Sequence, residues 1–301
     1  MKTFVVGHKN PDTDSIVSAI VLAKIEGHEP ARTGDVNKET EFVLKRFGQK
    51  EPIVVPKEAK QIILVDHNSP DEVHENIKNE EIIGIIDHHR LGGPFSESPL
   101  AVYMKPCGST STIVALIADD HNYSLNHEEA SLLISGIISD TLNFTSPTTT
   151  DLDREVLERL NGVAGLDVNE LAAEMFAAKS DISGIKTEDL IGKDYKVFDM
   201  SGKKVGIGVW ETTNPQSILD RKEEIHKILK DKKKNEKLDY ILFGAVDILE
   251  GATQFILDTD PEVALVADVF GAVTKEGVAY LENTVSRKKQ IVPKLENFLA
   301  Q

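Results

Sequence analysis

The chain has 301 residues, 40 % hydrophobic and 28 % charged, the profile of a soluble globular protein with room for one large domain or two ordinary ones. A formal net charge of −16 disfavours nucleic acid and membrane surfaces as partners, and no apolar run approaches the roughly 18 residues that span a bilayer. The single cysteine, Cys107, excludes an intramolecular disulfide and a cysteine-rich zinc site.

In chain order, TFVVG (3–7), IILV (62–65) and IIGII (82–86) are short and almost wholly apolar. Without alternation they suit strands buried on both faces, as in a parallel sheet. DSIVSAIVLAKIEG between the first two predicts a helix capped by Asp14 or Ser15. AVYM (101–104) predicts another strand, and GSTSTIVALIADD, HEEASLLISGIISDT, DLDREVLERLNGVAG and DVNELAAEMFAAKS predict four helices. The polar stretch KSDISGIKTEDLIGKD is the expected linker. Beyond it YKVFDM, KVGIGVWE and YILFGAVDIL predict strands, and SILDRKEEIHKILKDKKKNEK one helix with a charged, solvated face. The expected fold class is α/β with two domains, 1–185 and 190–301. The opening MKTFVVGHKNPD has too short an apolar stretch for a signal peptide, so a cytoplasmic protein is expected.

Each early strand runs into acids and imidazoles. TFVVG leads to His8, Asp12 and Asp14, IILV to Asp66 and His67, and IIGII to Asp87, His88 and His89. Ligands of open parallel sheets bind beyond the carboxyl ends of the strands. A mixed Asp/His set there suits Mn²⁺, Co²⁺, Fe²⁺ or Zn²⁺. So many carboxylates repel one another without cations. Two divalent ions resolve the repulsion, and a water bridging them is the nucleophile of a two-metal hydrolase. Ser286, Arg287, Lys288 and Lys289 form a dense basic run in an acidic chain. Alone it reads as a solvated turn; beside a two-metal site it reads as a phosphate clamp.

Taken together, GHKNPDTDS (7–15), VDHN (65–68), DHHR (87–90), PCGSTSTI (106–113), SGIISDTLNFTSPTTTDLD (135–153) and SRKKQIVP (286–293) resemble the family II, manganese-dependent inorganic pyrophosphatases of the DHH phosphoesterase superfamily. The resemblance runs the length of the chain. It implies a parallel-sheet DHH domain and a smaller DHHA2-type α/β domain with the active site between them. It implies hydrolysis of pyrophosphate by a water or hydroxide that two Mn²⁺ (or Co²⁺) ions activate, with Mg²⁺ accompanying the substrate. By the same resemblance His8, Asp12, Asp14, Asp66, His88 and Asp140 are the metal ligands, with Asp66 bridging. Asp14, Asp66 and His89 carry the catalytic roles, and His89 also contacts substrate as acid to the leaving phosphate. Arg287 and Lys288 grip the terminal phosphates, and a further phosphate lysine is Lys186 or Lys179. Asp87 is expected to orient an imidazole. The resemblance also implies a homodimer.

The competing readings are an exopolyphosphatase or prune-like phosphoesterase, a nuclease of the same superfamily, and a non-catalytic metal or phosphate sensor. DHHR favours pyrophosphate over the first. The charge and the missing GGGH motif oppose the second, and the complete donor set opposes the third.

Overall fold

A computed structural model describes residues 2–93 and 99–300. It divides into two units, Met1–Ala178 and Lys179–Gln301. The first is built on six parallel strands: β1 (Thr3–Val6), β2 (Glu29–Arg32), β3 (Ile53–Val54), β4 (Gln61–Val65), β5 (Ile82–Asp87) and β6 (Ala101–Met104), in the order β3-β2-β1-β4-β5-β6. Its helices are α1 (Thr13–Glu26), α2 (Lys38–Arg46), α3 (Thr110–Asp120), α4 (His127–Thr141), α5 (Asp151–Ala164) and α6 (Val168–Lys179).

The four apolar runs form the strands expected of them. The segment β2-α2-β3 was not anticipated, because EPAR carries little apolar signal and Ile53 and Val54 lie exposed on the sheet edge. Its effect is large. The chain steps outward from β1 to β3, then restarts at β4 on the other side of β1. The sheet therefore reverses direction between β1 and β4, and a crevice opens beyond the carboxyl ends of such a pair. α1 is buried from Thr13 through Ala23, so its sequence reads as nearly uniform rather than striped. Its cap is Asp12, whose side chain accepts from the Ser15 amide at 3.0 Å, and not Asp14 or Ser15. Capping by Asp12 leaves the Asp14 carboxylate available for other partners.

The second unit is a mixed sheet of β7 (Tyr195–Met200), β8 (Lys203–Thr212), β9 (Tyr240–Asp247), β10 (Ala252–Ile256), β11 (Thr274–Lys275) and β12 (Val278–Leu281), ordered β11-β12-β10-β9-β8-β7. Only β8 and β9 pair in parallel. Its helices are α7 (Thr187–Lys193), α8 (Gln216–Leu219), α9 (Lys222–Glu236), α10 (Asp260–Phe270) and α11 (Val292–Leu299). One core joins Leu190, Ile191, Ile225 and Leu229 to β9, and a second joins Val266, Leu295 and Phe255.

Two expectations change here. The single helix predicted over SILDRKEEIHKILKDKKKNEK breaks into α8 and α9 at Asp220–Arg221, where the Arg221 guanidinium donates to the Ile185 and Ile182 carbonyls at 2.6 and 2.7 Å. The polar stretch read as a linker contains α7, and its Leu190 and Ile191 are core residues at 0 % and 1 % exposure. Two apolar positions among charged ones were too few to signal a packed helix. Leu190→Ala is expected to cost about 2–5 kcal/mol in urea unfolding; a linker position would change stability by no more than about 0.5 kcal/mol.

Candidate metal centre

β1, β4 and β5 are neighbours, so their carboxyl ends deliver three loops to one edge. Gly7 opens the first: a Cβ there would fall 1.8 Å from Ser15 Oγ, so only glycine lets this loop lie against the start of α1. The His8 carbonyl accepts from Thr33 Oγ1 at 2.6 Å, which ties the loop to the end of β2. At the second end Asp66 adopts a left-handed backbone, φ 65°, although it is not glycine. Asp tolerates this region better than most residues, and such conformations cluster at functional sites. Its amide still donates to Ile86 at 2.9 Å, so the turn starts directly off the sheet.

Among the described residues, three groups of donor atoms, each with its members within 4.8 Å of one another, have the composition of a metal site: His8, Asp12 and Asp66; Asp14, Asp66, His88 and Asp140; and Asp66, His88 and His89. Asp66 belongs to all three. His8 Nε2 lies 3.6 Å from both Asp12 Oδ2 and Asp66 Oδ2. His88 Nδ1 donates to the Cys107 carbonyl at 2.9 Å, which leaves Nε2 facing the acids. That buried Nε2 makes no hydrogen bond among the described residues, yet sits 3.4 Å from Asp66 Oδ1 and 3.4 Å from Asp140 Oδ2. A nitrogen aimed between two carboxylates, with its tautomer set by a backbone carbonyl, fits a divalent cation.

The electrostatics express the same crowding. Burial pushes Asp14 up to about 6, and the Asp66 charge adds to the shift. Asp140 is raised well above the usual carboxylate range by burial and by Asp14 and Asp12. Burial opposes charge on Asp66 too, but His8 and His88 outweigh it and hold Asp66 below the usual range. Burial alone would lower both imidazoles. Asp12 and Asp66 instead carry His8 up to about 10, and Asp140 and Asp66 carry His88 up to about 12.

The groups that hold these side chains include several that the motifs do not explain. Asp14 accepts from the Thr110 and Ser111 amides at the start of α3, at 2.7 and 2.9 Å, and from the hydroxyls of Ser109, Ser111 and Ser18. Asp66 Oδ1 accepts from Thr110 Oγ1 at 3.0 Å. Buried Asp153 holds the same segment from α5, accepting from the Gly108 amide at 2.8 Å and from Thr112 Oγ1 at 2.7 Å. The available signal was four consecutive hydroxyl residues, 109–112, opening an otherwise apolar helix. Gly136 on α4 faces this cluster: a Cβ would fall 2.6 Å from Asp14 Oδ1 and 2.1 Å from Ser111 Oγ.

Asp87 does orient an imidazole. Its Oδ1 accepts from His89 Nδ1 at 2.9 Å, and its Oδ2 from Asn68. Asn68 also donates to the Arg90 carbonyl at 3.0 Å, so it clamps the turn that carries His89. The bond to Asp87 raises the His89 value, with burial opposing, and the ring stays exposed. In the second unit, Arg287 pairs with Asp194 Oδ1 at 2.6 Å and donates to the Asp194 and Ile207 carbonyls. Lys288 is exposed, Lys186 is exposed at the start of α7, and Lys179 closes α6.

Comparison with known proteins agrees in both units. The DHH family N-terminal domain matches residues 2–137, and the DHHA2 domain matches residues 173–298. The manganese-dependent inorganic pyrophosphatase of Methanocaldococcus jannaschii is 42 % identical over 97 % of this chain and 98 % of its own length. That of Bacillus subtilis is 35 % identical over 100 % and 99 %. A solved Methanococcus jannaschii structure, described as a family II inorganic pyrophosphatase, superposes with a TM-score of 0.65 at 41 % identity, covering 99 % of this chain and 100 % of that one. An exopolyphosphatase-related protein from Bacteroides fragilis shares the fold at a TM-score of 0.53 and 16 % identity, covering 99 % of this chain and 93 % of that one. With both domain types in order and more than a third of its residues shared end to end with such relatives, the chain belongs to the manganese-dependent, family II inorganic pyrophosphatases.

Proposed function

We propose that the chain hydrolyses inorganic pyrophosphate to two phosphates at a centre for two divalent ions. One observation carries the reading. Asp66 is common to every group of metal-donor atoms, in a chain whose full-length relatives are named manganese-dependent pyrophosphatases. His8, Asp12 and Asp66 would hold one ion, and Asp14, Asp66, His88 and Asp140 the other. Imidazole with carboxylate suits Mn²⁺ or Co²⁺. Once bound, the ions supply Lewis acidity toward water and phosphoryl oxygen.

The rest is work for the chain's own residues. Asp14, bonded to the start of α3, cannot swing away from its ion. Asp66, common to the donor groups, would contribute to holding both ions. His89, aligned by Asp87, presents its other ring nitrogen outward and donates a proton to the departing phosphate. Asp14, Asp66 and His89 are thus the catalytic groups. Arg287, Lys288 and Lys186, with Lys179 the alternative lysine, bind phosphate oxygens, and Mg²⁺ enters with the substrate. Pyrophosphate has no apolar handle, so positioning and charge neutralisation are all that catalysis can use. A net charge of −16 opposes nucleic acid and membrane as partners, and no described helix is long and apolar enough to cross a membrane. A cytoplasmic homodimer completes the reading.

The direct test is phosphate release by chelator-stripped protein reloaded with Mn²⁺, Co²⁺, Zn²⁺ or nothing, with Mg²⁺ present. Fast turnover of pyrophosphate that depends on Mn²⁺ or Co²⁺ is expected. Preference for tripolyphosphate would make the chain an exopolyphosphatase, and tight metal binding without turnover would make it a sensor. Asp66→Ala should lose both metal affinity and turnover. His89→Gln should retain Mn²⁺ while kcat falls about 10²–10⁴-fold; an unchanged kcat would remove His89 from the mechanism.

Metal binding should depend on pH in a defined direction. His8 and His88, raised to about 10 and about 12, are protonated near neutral pH, and each ion must displace a proton. Mn²⁺ affinity therefore rises with pH and falls further as pH drops through about 6, where Asp14 also takes a proton. Calorimetry in buffers of different ionisation enthalpy should record protons released on metal binding; none released would contradict the assignment. Gly136→Ala, which pushes on Asp14, should weaken Mn²⁺ binding about 10-fold or more.

A further inference from the structure

We propose that Glu39 is a positioning residue for the metal centre, an inference that rests on the two-ion reading above. Glu39 lies in the first turn of α2, outside every motif that marks the site, and is fully buried. Its Oε2 accepts from Thr13 Oγ1 at 2.9 Å and from Ser139 Oγ at 2.7 Å. Thr13 stands between Asp12 and Asp14, and Ser139 immediately precedes Asp140. One carboxylate oxygen thus ties the start of α1 to the end of α4, and the three acids flanking its two partners are divided between two of the donor groups.

The surroundings fix Glu39 in turn. Asn37 caps α2 by accepting from the Thr40 amide at 2.9 Å and from Thr40 Oγ1 at 3.0 Å. Thr13 Oγ1 also lies 3.1 Å from Thr40 Oγ1. A polar group this far from water persists only when it is bonded, and both hydroxyls converge on the one oxygen, Oε2. Thr13 and Ser139 both donate through neutral hydroxyls. Through them Glu39 restrains the backbone beside Asp12, Asp14 and Asp140. Supports of this kind commonly change metal affinity about 10- to 100-fold when removed.

The test compares Glu39→Ala with Glu39→Gln, whose amide oxygen can still accept from both hydroxyls. Three readouts apply: Mn²⁺ affinity by calorimetry, the Mn(II) electron paramagnetic resonance spectrum, and kcat against KM for pyrophosphate. Glu39→Ala should weaken Mn²⁺ about 10- to 100-fold, alter the spectrum of the paired ions and lower kcat with KM little changed. Glu39→Gln should restore most of each. A Glu39→Ala protein that melts earlier but keeps wild-type affinity and spectrum would overturn the proposal and leave Glu39 a purely structural residue. If Glu39→Ala does not fold, Thr13→Val and Ser139→Ala remove the two donors singly. Each should weaken Mn²⁺ binding, and wild-type affinity in both would overturn the proposal. Affinity and spectrum need no turnover, so a wild-type protein that binds two Mn²⁺ without hydrolysing pyrophosphate fails the activity reading alone. A wild-type protein that binds no pair of ions removes the basis of both.

Discussion

Mutual repulsion among acids governs this centre. Asp14, Asp66 and Asp140 offer oxygens within 4.8 Å of one another, in a site almost closed to water. At such spacing two unit charges cost about 4 kcal/mol even at an effective dielectric constant of 20. Burial and neighbouring acids raise Asp14 to about 6 and Asp140 well above the usual carboxylate range, while His8 and His88 hold Asp66 below it. Divalent cations among these acids would relieve the same repulsion.

A site under this tension collapses or opens unless its parts are held, and the holding groups share one property. Asp14 is held by serine hydroxyls and by amides at the start of α3, Asp66 by Thr110, Asp87 by Asn68 and backbone amides, and Glu39 by Thr13 and Ser139. All of these donors are neutral. A lysine or arginine in their place would satisfy the carboxylates electrostatically and compete with the metal. Hydroxyls and amides fix direction while leaving the negative charge unspent. Gly7 and Gly136 serve the same end by letting α1 and α4 come close enough for these short side chains to reach.

The acids and imidazoles after β1, β4 and β5 were legible in the sequence because their physics is local, whereas Asp140, on α4, entered only through the family resemblance. An apolar run of four or five residues followed at once by Asp or His marks a strand with chemistry at its carboxyl end, and β1, β4 and β5 each show it. Their adjacency was not legible. It depends on β2 and β3, whose polar, exposed residues give no strand signal, and these short strands create the reversal that sets β1 beside β4. The supports were hidden for a related reason. Glu39, Asn68 and Asp153 are polar residues whose burial follows from contacts with distant segments, so no periodicity announces them. α7 escaped notice because two buried positions, Leu190 and Ile191, are too few to outweigh the charges around them.

The same logic bears on how a chain of net charge −16 meets an anion. The average field opposes the encounter, so attraction must be local. The donor groups of the first unit are suited to divalent cations, which would reverse the sign there, and Arg287 and Lys288 are positive side chains of the second. Arg287 is pinned by Asp194 and by two carbonyls rather than left free. A pinned guanidinium loses little freedom on meeting phosphate, and its planar fork keeps its orientation. Asp194 also cancels part of its charge, so a singly charged oxyanion gains little there. A ligand that brings several negative oxygens gains more from any concentrated positive charge than a singly charged one does, so a divalent centre favours small, densely charged anions.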